Sequence, residues 1–288
     1  MPDSPAPIRP APIRIVTDSA CDLPPELAER HGIEIVPLTV RFGEEELVDR
    51  RDLTPRQFWD RLARSDVLPE TAAPSPGAFE AAYRKAAEDG CEGVVCITIS
   101  AGLSATYEAA QLAAQAMTDS IVVRVVDSRA VALAEGLMAV RAAEMAGEGA
   151  GIDDVVRELD GLVGRSRTFA ALDTLENLKK GGRIGGAQAF LGSMLSIKPV
   201  IQVSEGKVEP ESRQRTRTKA LRYLAEKVRQ HEPVDMLAVM HGDAPDLDEM
   251  LDLLSSTHPR EEIVVGDVGA VIGTHTGPRV MGVIFFVR

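Results

Sequence analysis

Hydrophobic and polar positions along the chain switch repeatedly between the period of a strand and that of a helix. Residues 94–99 form an unbroken apolar run rich in β-branched side chains, which reads as a strand buried on both faces of a parallel sheet. After a small, hydroxyl-bearing turn, Tyr107, Ala110, Ala114 and Met117 recur at helical spacing, with Glu108, Gln111 and Gln115 on the opposite face. The strand over 121–126 then completes a strand–helix–strand unit, whose crossover should be right-handed. Upstream, the pattern predicts a strand over 13–16, a helix opened by Asp22-Leu23-Pro24-Pro25 and closed by Gly32, and one strand over 33–42. Thr54-Pro55 caps a helix with Phe58, Trp59 and Leu62 on its apolar face. Residues 69–77 read as a loop, a candidate lid with Thr71 exposed in it, before Ser75-Pro76 starts a helix through Phe79 and Tyr83.

Three glycines within 147–151, followed by a helix over 153–162, read as a hinge between two halves, with the boundary near Arg165. The second half shows strands at 168–172, 197–203, 236–240 and 283–287, a hairpin signal at Ser204-Glu205-Gly206, and helices at 216–230 and 247–254. The predicted fold is therefore two α/β domains, residues 13–165 around a mostly parallel sheet and residues 166–288 around a mixed one. Residues 1–12 contain five prolines and read as a disordered leader.

Composition narrows the partners. The 288-residue chain has a formal net charge of −12, which argues against a nucleic-acid surface or a polybasic membrane patch. Small molecules or proteins are the expected partners. No apolar run is long enough to span a bilayer, and stable membrane insertion is not expected. The three cysteines show no CxxC spacing, so no disulfide framework and no zinc site are expected, and a cytoplasmic location fits best. The phosphate loop GxxxxGK[ST] and a GxGxxG fingerprint after the first strand are both missing, so no cofactor is expected.

The turn from Ser100 to Tyr107 is the first candidate site, because a strand feeding a helix through small residues leaves backbone N–H groups aimed at an anion. Ser104 lies in Gly102-Leu103-Ser104-Ala105-Thr106, close to a GxSxG nucleophile elbow, and Asp127 and His275 follow in hydrolase order. A Ser104–Asp127–His275 lipid esterase is thus an alternative reading, although Thr106 is β-branched where the elbow wants glycine. The plain reading makes Ser100 or Ser104 a helix cap. His275, between Thr274 and Thr276 in a glycine-bounded loop, and Arg183, between paired glycines, are both suited to donate to a carboxylate, although a lone histidine is usually structural or solvated and Arg183 could equally satisfy helix-end carbonyls. A covalent phosphoryl adduct on His275 is a further alternative, weakened by the missing nucleotide loop. Arg213, Arg215 and Arg217 alternate, so an extended segment would show all three on one face and offer an acidic partner a docking edge.

Several motifs occur together: Val16-Thr17-Asp18-Ser19 with Cys21-Asp22-Leu23-Pro24, Ala73-Pro74-Ser75-Pro76-Gly77, the Ser100 turn, and Val126-Asp127-Ser128-Arg129. Asp173-Thr174-Leu175-Glu176, Gly181-Gly182-Arg183-Ile184-Gly185 and the stretch from Ile272 to Pro278 complete the set. In these the chain resembles the DegV family of bacterial fatty-acid-binding proteins over almost all of residues 13–288. The resemblance implies a carrier that does no bond chemistry itself. It would hold one long-chain fatty acid in a tunnel and present it to a separate ATP-dependent fatty acid kinase, which makes the acyl phosphate. Carried over by motif, Thr71 and a serine of the turn, Ser100 or Ser104, would bond the carboxylate, with Arg183 and His275 near it directly or through water. Thr274, Gly102 and Asp18 would play secondary parts, and Arg213 and Arg215 would dock the kinase. Ala101 and Ala105 stand where the family often has Ser and Gly, and Arg279 where it often has Gly.

Overall fold

The computed structural model describes residues 13–193 and 197–288; the expected leader, residues 1–12, lies outside the described residues. The first sheet is wholly parallel, in the order β2 (Glu34–Val36), β1 (Ile13–Asp18), β6 (Gly93–Thr98) and β7 (Val122–Asp127). Helices α3 (Pro76–Glu88) and α4 (Thr106–Ala116) cover one of its faces. The second sheet is mixed, in the order β10 (Lys207–Gln214), β9 (Lys198–Ser204), β8 (Ser166–Ala171), β13 (Met281–Val287), β11 (Val234–His241) and β12 (Val264–Asp267). Its outer face is covered by α8 (Arg217–Gln230), against which α9 (Leu247–Leu254) packs. These are two α/β domains. Among the described residues, no helix is long and apolar enough to cross a membrane.

Between the two sheets lies a helical hairpin, α5 (Leu133–Gly147) and α6 (Ile152–Arg165). α5 touches β1 and β6 on one side and β8, β11 and β13 on the other. Its sequence is apolar almost all round, as a helix buried between layers must be. The glycine-rich stretch expected to be a hinge is the turn of this hairpin, and Val155, Leu159 and Leu162 of α6 are fully buried. One continuous core therefore joins both sheets.

Two segments differ from the sequence reading. The expected strand over 33–42 breaks at Pro37, because proline supplies no N–H to a ladder. Its first part is β2, whereas β3 (Thr39–Phe42) belongs to a separate antiparallel sheet with β4 (Glu45–Val48) and β5 (Glu70–Ala72). The expected lid thus contains a strand, with Thr71 paired to Val40, half-buried and fixed. The glycine-bounded loop around His275 is the helix α10 (Ala270–Thr276), closed at Gly277. It packs on α2 (Pro55–Leu62), β3, β5 and α7 (Glu176–Lys180). The remaining helix, α1 (Pro25–His31), ends in the left-handed Gly32 and leans on α5.

Asp18, at the end of β1, is fully buried and ties the first domain together. Its Oδ1 accepts from the Ala20 N–H at 2.9 Å and its Oδ2 from the Ile99 N–H at 2.8 Å. Glu135 of α5, also fully buried, bonds Asp18 and accepts from the Thr17 hydroxyl at 2.8 Å. Burial raises the Asp18 pKa to about 6 and that of Glu135 well above the usual carboxylate range, so the pair retains a proton. Because both folded-state values exceed the unfolded ones, the contribution of this pair to stability is fully present below about pH 4 and is lost as pH rises through the folded values. We expect Glu135→Gln, which keeps a donor to Asp18, to be at least as stable as the parent at pH 7 and to flatten the pH dependence. Glu135→Ala should lose about 3 kcal/mol. Urea titration of the three proteins between pH 4 and 8 checks both, and equal losses in the two variants would contradict a shared proton.

Candidate functional site

A cavity of ≈ 180 Å³ lies on the inner face of the second sheet. Strand alternation builds its floor: Phe169 and Ala171 of β8 point into the outer core, whereas Thr168 and Ala170 line the cavity. Pairing aligns Ile201, Ala170, Gly282 and Met240 at one level of four adjacent strands, with Val203, Thr168 and Ile284 at the next. Leu38, Ile99, Leu103 and Val131 close it from the first domain, and Val271 and Ile272 from α10. The lining is overwhelmingly apolar.

Apart from Thr168 in the floor, its polar groups gather in one corner, contributed by segments outside the sheet. Thr71 Oγ1 lies 3.0 Å from His275 Nε2. Arg183 donates from Nε to the Leu103 carbonyl (3.1 Å) and from Nη1 to the Gly181 carbonyl (2.9 Å), which brings the guanidinium beside the turn that carries Ser104. Thr71, Ser104, Arg183, His275 and Thr276 all line the cavity. Gly181 is required here, since a Cβ would sit 2.3 Å from His275 Nδ1. That nitrogen is buried and, among the described residues, has no hydrogen-bond partner. Burial, reinforced by the Arg183 charge, lowers the His275 pKa to about 4, so its imidazole is neutral at pH 7.

The other expected residues serve this corner from behind or lie elsewhere. Ser100 is fully buried, and its hydroxyl donates to the Gly206 carbonyl at 2.7 Å while accepting from the Gly102 N–H at 3.1 Å. Of the two serines left open by the sequence, Ser104 is the one on the cavity wall. Gly102 and Gly206 let turn and hairpin meet, because a Cβ on Gly102 would lie 2.6 Å from the Gly206 oxygen. Asp18 anchors the start of the turn through Ile99 and does not reach the cavity. Thr274 is buried and donates to the Ala270 carbonyl at 2.8 Å, so it stabilises α10 from within. Arg213 and Arg215 are exposed near the end of β10, and Arg213 donates to the Ala189 carbonyl at 3.0 Å with its guanidinium over the Phe190 ring. Arg217 turns away into α8 and pairs with Asp246 at 2.7 Å. The extended arrangement expected for all three arginines therefore ends after Gln214, where the strand stops.

Nor do Ser104, Asp127 and His275 converge. Asp127 Oδ1 accepts from the Ala101 and Arg129 N–H groups, the Ser104 hydroxyl is shared with Thr106, and His275 Nε2 faces Thr71. A catalytic relay needs the carboxylate on the imidazole and the imidazole on the serine. Glu135 and Asn177 escaped sequence reasoning; Asn177 donates from Nδ2 to the Thr274 carbonyl at 3.1 Å and holds α10 over α7. A lone carboxylate inside the apolar stretch Leu133 to Ala139 was the available signal for Glu135.

The lowered pKa of His275 has a measurable sign. Because the folded-state value lies below the unfolded one, stability falls as pH drops from about 6.5 to about 4, by up to about 3 kcal/mol. We expect the His275 ring resonance to titrate with a midpoint near 4, and Arg183→Met to raise that midpoint. A midpoint near 6.5 in the parent protein would contradict the burial of this ring.

Comparison with known proteins agrees with this architecture. The family model described as "Uncharacterised protein, DegV family" matches residues 12–288. A DegV domain-containing protein of Streptomyces coelicolor is 40% identical over 277 residues, covering 94% of this chain and 97% of that one. Among solved structures, a DegV family protein from Thermus thermophilus, described for its fatty acid binding, has a TM-score of 0.89 at 37% identity and covers 96% of this chain and 99% of its own. DegV of Bacillus subtilis, described as a fatty acid binding protein, has a TM-score of 0.85 at 32% identity, with coverage of 96% and 99%. With the match running from the first strand to the last, through the Asp18 anchor and the polar corner, the chain belongs to the DegV family.

Proposed function

We propose that this protein binds a long-chain fatty acid, with the acyl chain over the floor of the cavity and the carboxylate in the corner formed by Thr71, Ser104, Arg183 and His275. The observation that carries the reading is the apolar cavity with polar groups gathered in one corner, between the two domains. Removing an acyl chain of about sixteen carbons from water offers on the order of 10 kcal/mol, at ~0.8 kcal/mol per CH₂, before the costs of association and ordering. A carboxylate entering such a site needs pairing, because alone it would take up a proton or lose several kcal/mol of binding. Arg183 supplies fixed charge, whereas Thr71, Ser104 and His275 supply hydrogen bonds. Ser100 acts behind them, holding the turn against the hairpin of the second domain. The DegV proteins of Thermus thermophilus and Bacillus subtilis, described as binding fatty acid, support this choice of ligand.

The finer part of the proposal is a carrier role, in which the bound carboxylate is presented to a fatty acid kinase. Arg213 and Arg215 are the docking residues. The strand that leads to them, β10, packs on the 3₁₀ segment Gly185–Ser193, which begins two residues after Arg183, so docking edge and polar corner are contiguous in the fold.

Mass spectrometry of an organic extract of the purified protein should yield one equivalent of free fatty acid. Arg183→Met and His275→Ala should each weaken binding of an added long-chain acid about tenfold or more, with the fold retained. An empty extract together with no binding of added acid would overturn the reading. Charge reversal at Arg213 or Arg215 should leave binding intact but lower acyl phosphate formation by a fatty acid kinase, and normal turnover in the reversed variants would remove the docking assignment.

A further inference from the structure

Thr168 interrupts the apolar floor of the cavity. It lies within β8 between Val203 on β9 and Ile284 on β13, where a third apolar side chain would complete the level. Valine has nearly the same shape and would close this level without a polar atom. Thr168 is only 8% exposed, and its hydroxyl has no hydrogen-bond partner among the described residues. A buried hydroxyl without a partner lowers stability, so its presence on a cavity wall calls for a partner that arrives with a ligand.

A second cavity adjoins this point. It has a volume of ≈ 310 Å³ and shares Thr168 and Val203 with the first. Ser166, on the same face of β8 as Thr168, lines it together with Arg167, Gln202 and Ser204. Two further members, Arg129 and Glu205, pair with each other at 3.0 Å. Arg167 donates to the Gly164 and Ser166 carbonyls at 3.1 and 2.8 Å. Each guanidinium thus has its Nη1 engaged within the protein and keeps its charge. What Thr168 itself offers a ligand at this junction is a neutral hydroxyl, flanked by the Ser166 hydroxyl and the Gln202 amide, with the Arg167 guanidinium also on the wall of the second cavity.

We propose that Thr168 is a second recognition point of the cavity, selecting acyl chains that carry an uncharged polar group, most simply a hydroxyl, at a defined position along the chain. The hydroxyl of the ligand would take the bond that Thr168 lacks, and the adjoining polar cavity would accept its remaining hydrogen bond. This rests on the reading of the main cavity as an acyl-chain site, but the carboxylate corner plays no part in it.

The test compares affinities for an unmodified long-chain fatty acid and a positional series of its monohydroxy derivatives, in the parent protein, Thr168→Val and Thr168→Ser. At least one positional isomer should bind the parent protein about tenfold more tightly than the unmodified acid. Thr168→Val should lose that preference, so that the preferred isomer and the unmodified acid bind it with affinities within about twofold of each other. Thr168→Ser keeps the hydroxyl and should retain the preference, which guards against a variant that merely disturbs packing. If the unmodified acid binds but no isomer is preferred, or if the preference survives in Thr168→Val, the proposal is overturned. If neither the acid nor any derivative binds the parent protein, the acyl-chain reading itself has failed, and this proposal with it.

Discussion

The buried carboxyl of Asp18 is the constraint on which the site depends. Its two oxygens fix the Ala20 and Ile99 N–H groups, and with them both the turn after β1 and the last residue before the turn after β6. From there a chain of contacts leads outward. Ser100 is fixed to Gly206 of the second domain, Leu103 offers its carbonyl to Arg183, Arg183 bonds Gly181, and Gly181 leaves the space in which the His275 ring lies beside Thr71. A carboxylate so deeply placed is tolerable because Glu135 shares a proton with it and backbone donors satisfy its oxygens. One protonated pair in the first domain thereby sets the position of groups contributed by both.

Much of this was legible in the sequence where one physical rule acted alone. The apolar run before Ser100, the hairpin at Gly206 and the helical spacing around Tyr107 each follow from local pattern, and each is present. The misread segments are those where tertiary packing overrode that pattern. Residues 69–77 carry loop chemistry, yet β3 offers an unpaired edge and Glu70–Ala72 takes it. The glycine and threonine residues around His275 disfavour a helix, but α2, α7 and the small sheet enclose that segment, and Thr274 and Thr276 return their hydroxyls to carbonyls one turn back. Arg279 takes a positive φ of 60°, a backbone conformation that the local sequence does not announce. The roles of Ser100 and Ser104 were not separable by sequence, because the distinction depends on Gly206, more than a hundred residues away.

The cavity exists because of an omission in the second sheet. At the level of Ile201 and Met240, the two strands between them carry Ala170 and Gly282. A Cβ on Gly282 would meet nothing nearer than 3.4 Å, so backbone crowding does not demand the glycine; its effect is to leave space above the floor. Larger residues at these two positions would turn the cavity into ordinary core, and stability alone would favour that, since interiors pack tightly and voids forfeit contacts. The outer face of the same strands shows what such packing looks like, with Phe169, Val283 and Phe285 fully enclosed against α8. An apolar space kept open on one face only, with its polar groups drawn from segments beyond the strand ends, separates the two tasks of the site. The floor takes up apolar surface without direction, whereas the corner fixes orientation through a few directed bonds. Thr168 is the exception within the floor: its unpartnered hydroxyl costs the sheet stability and is the one directed group among undirected apolar ones.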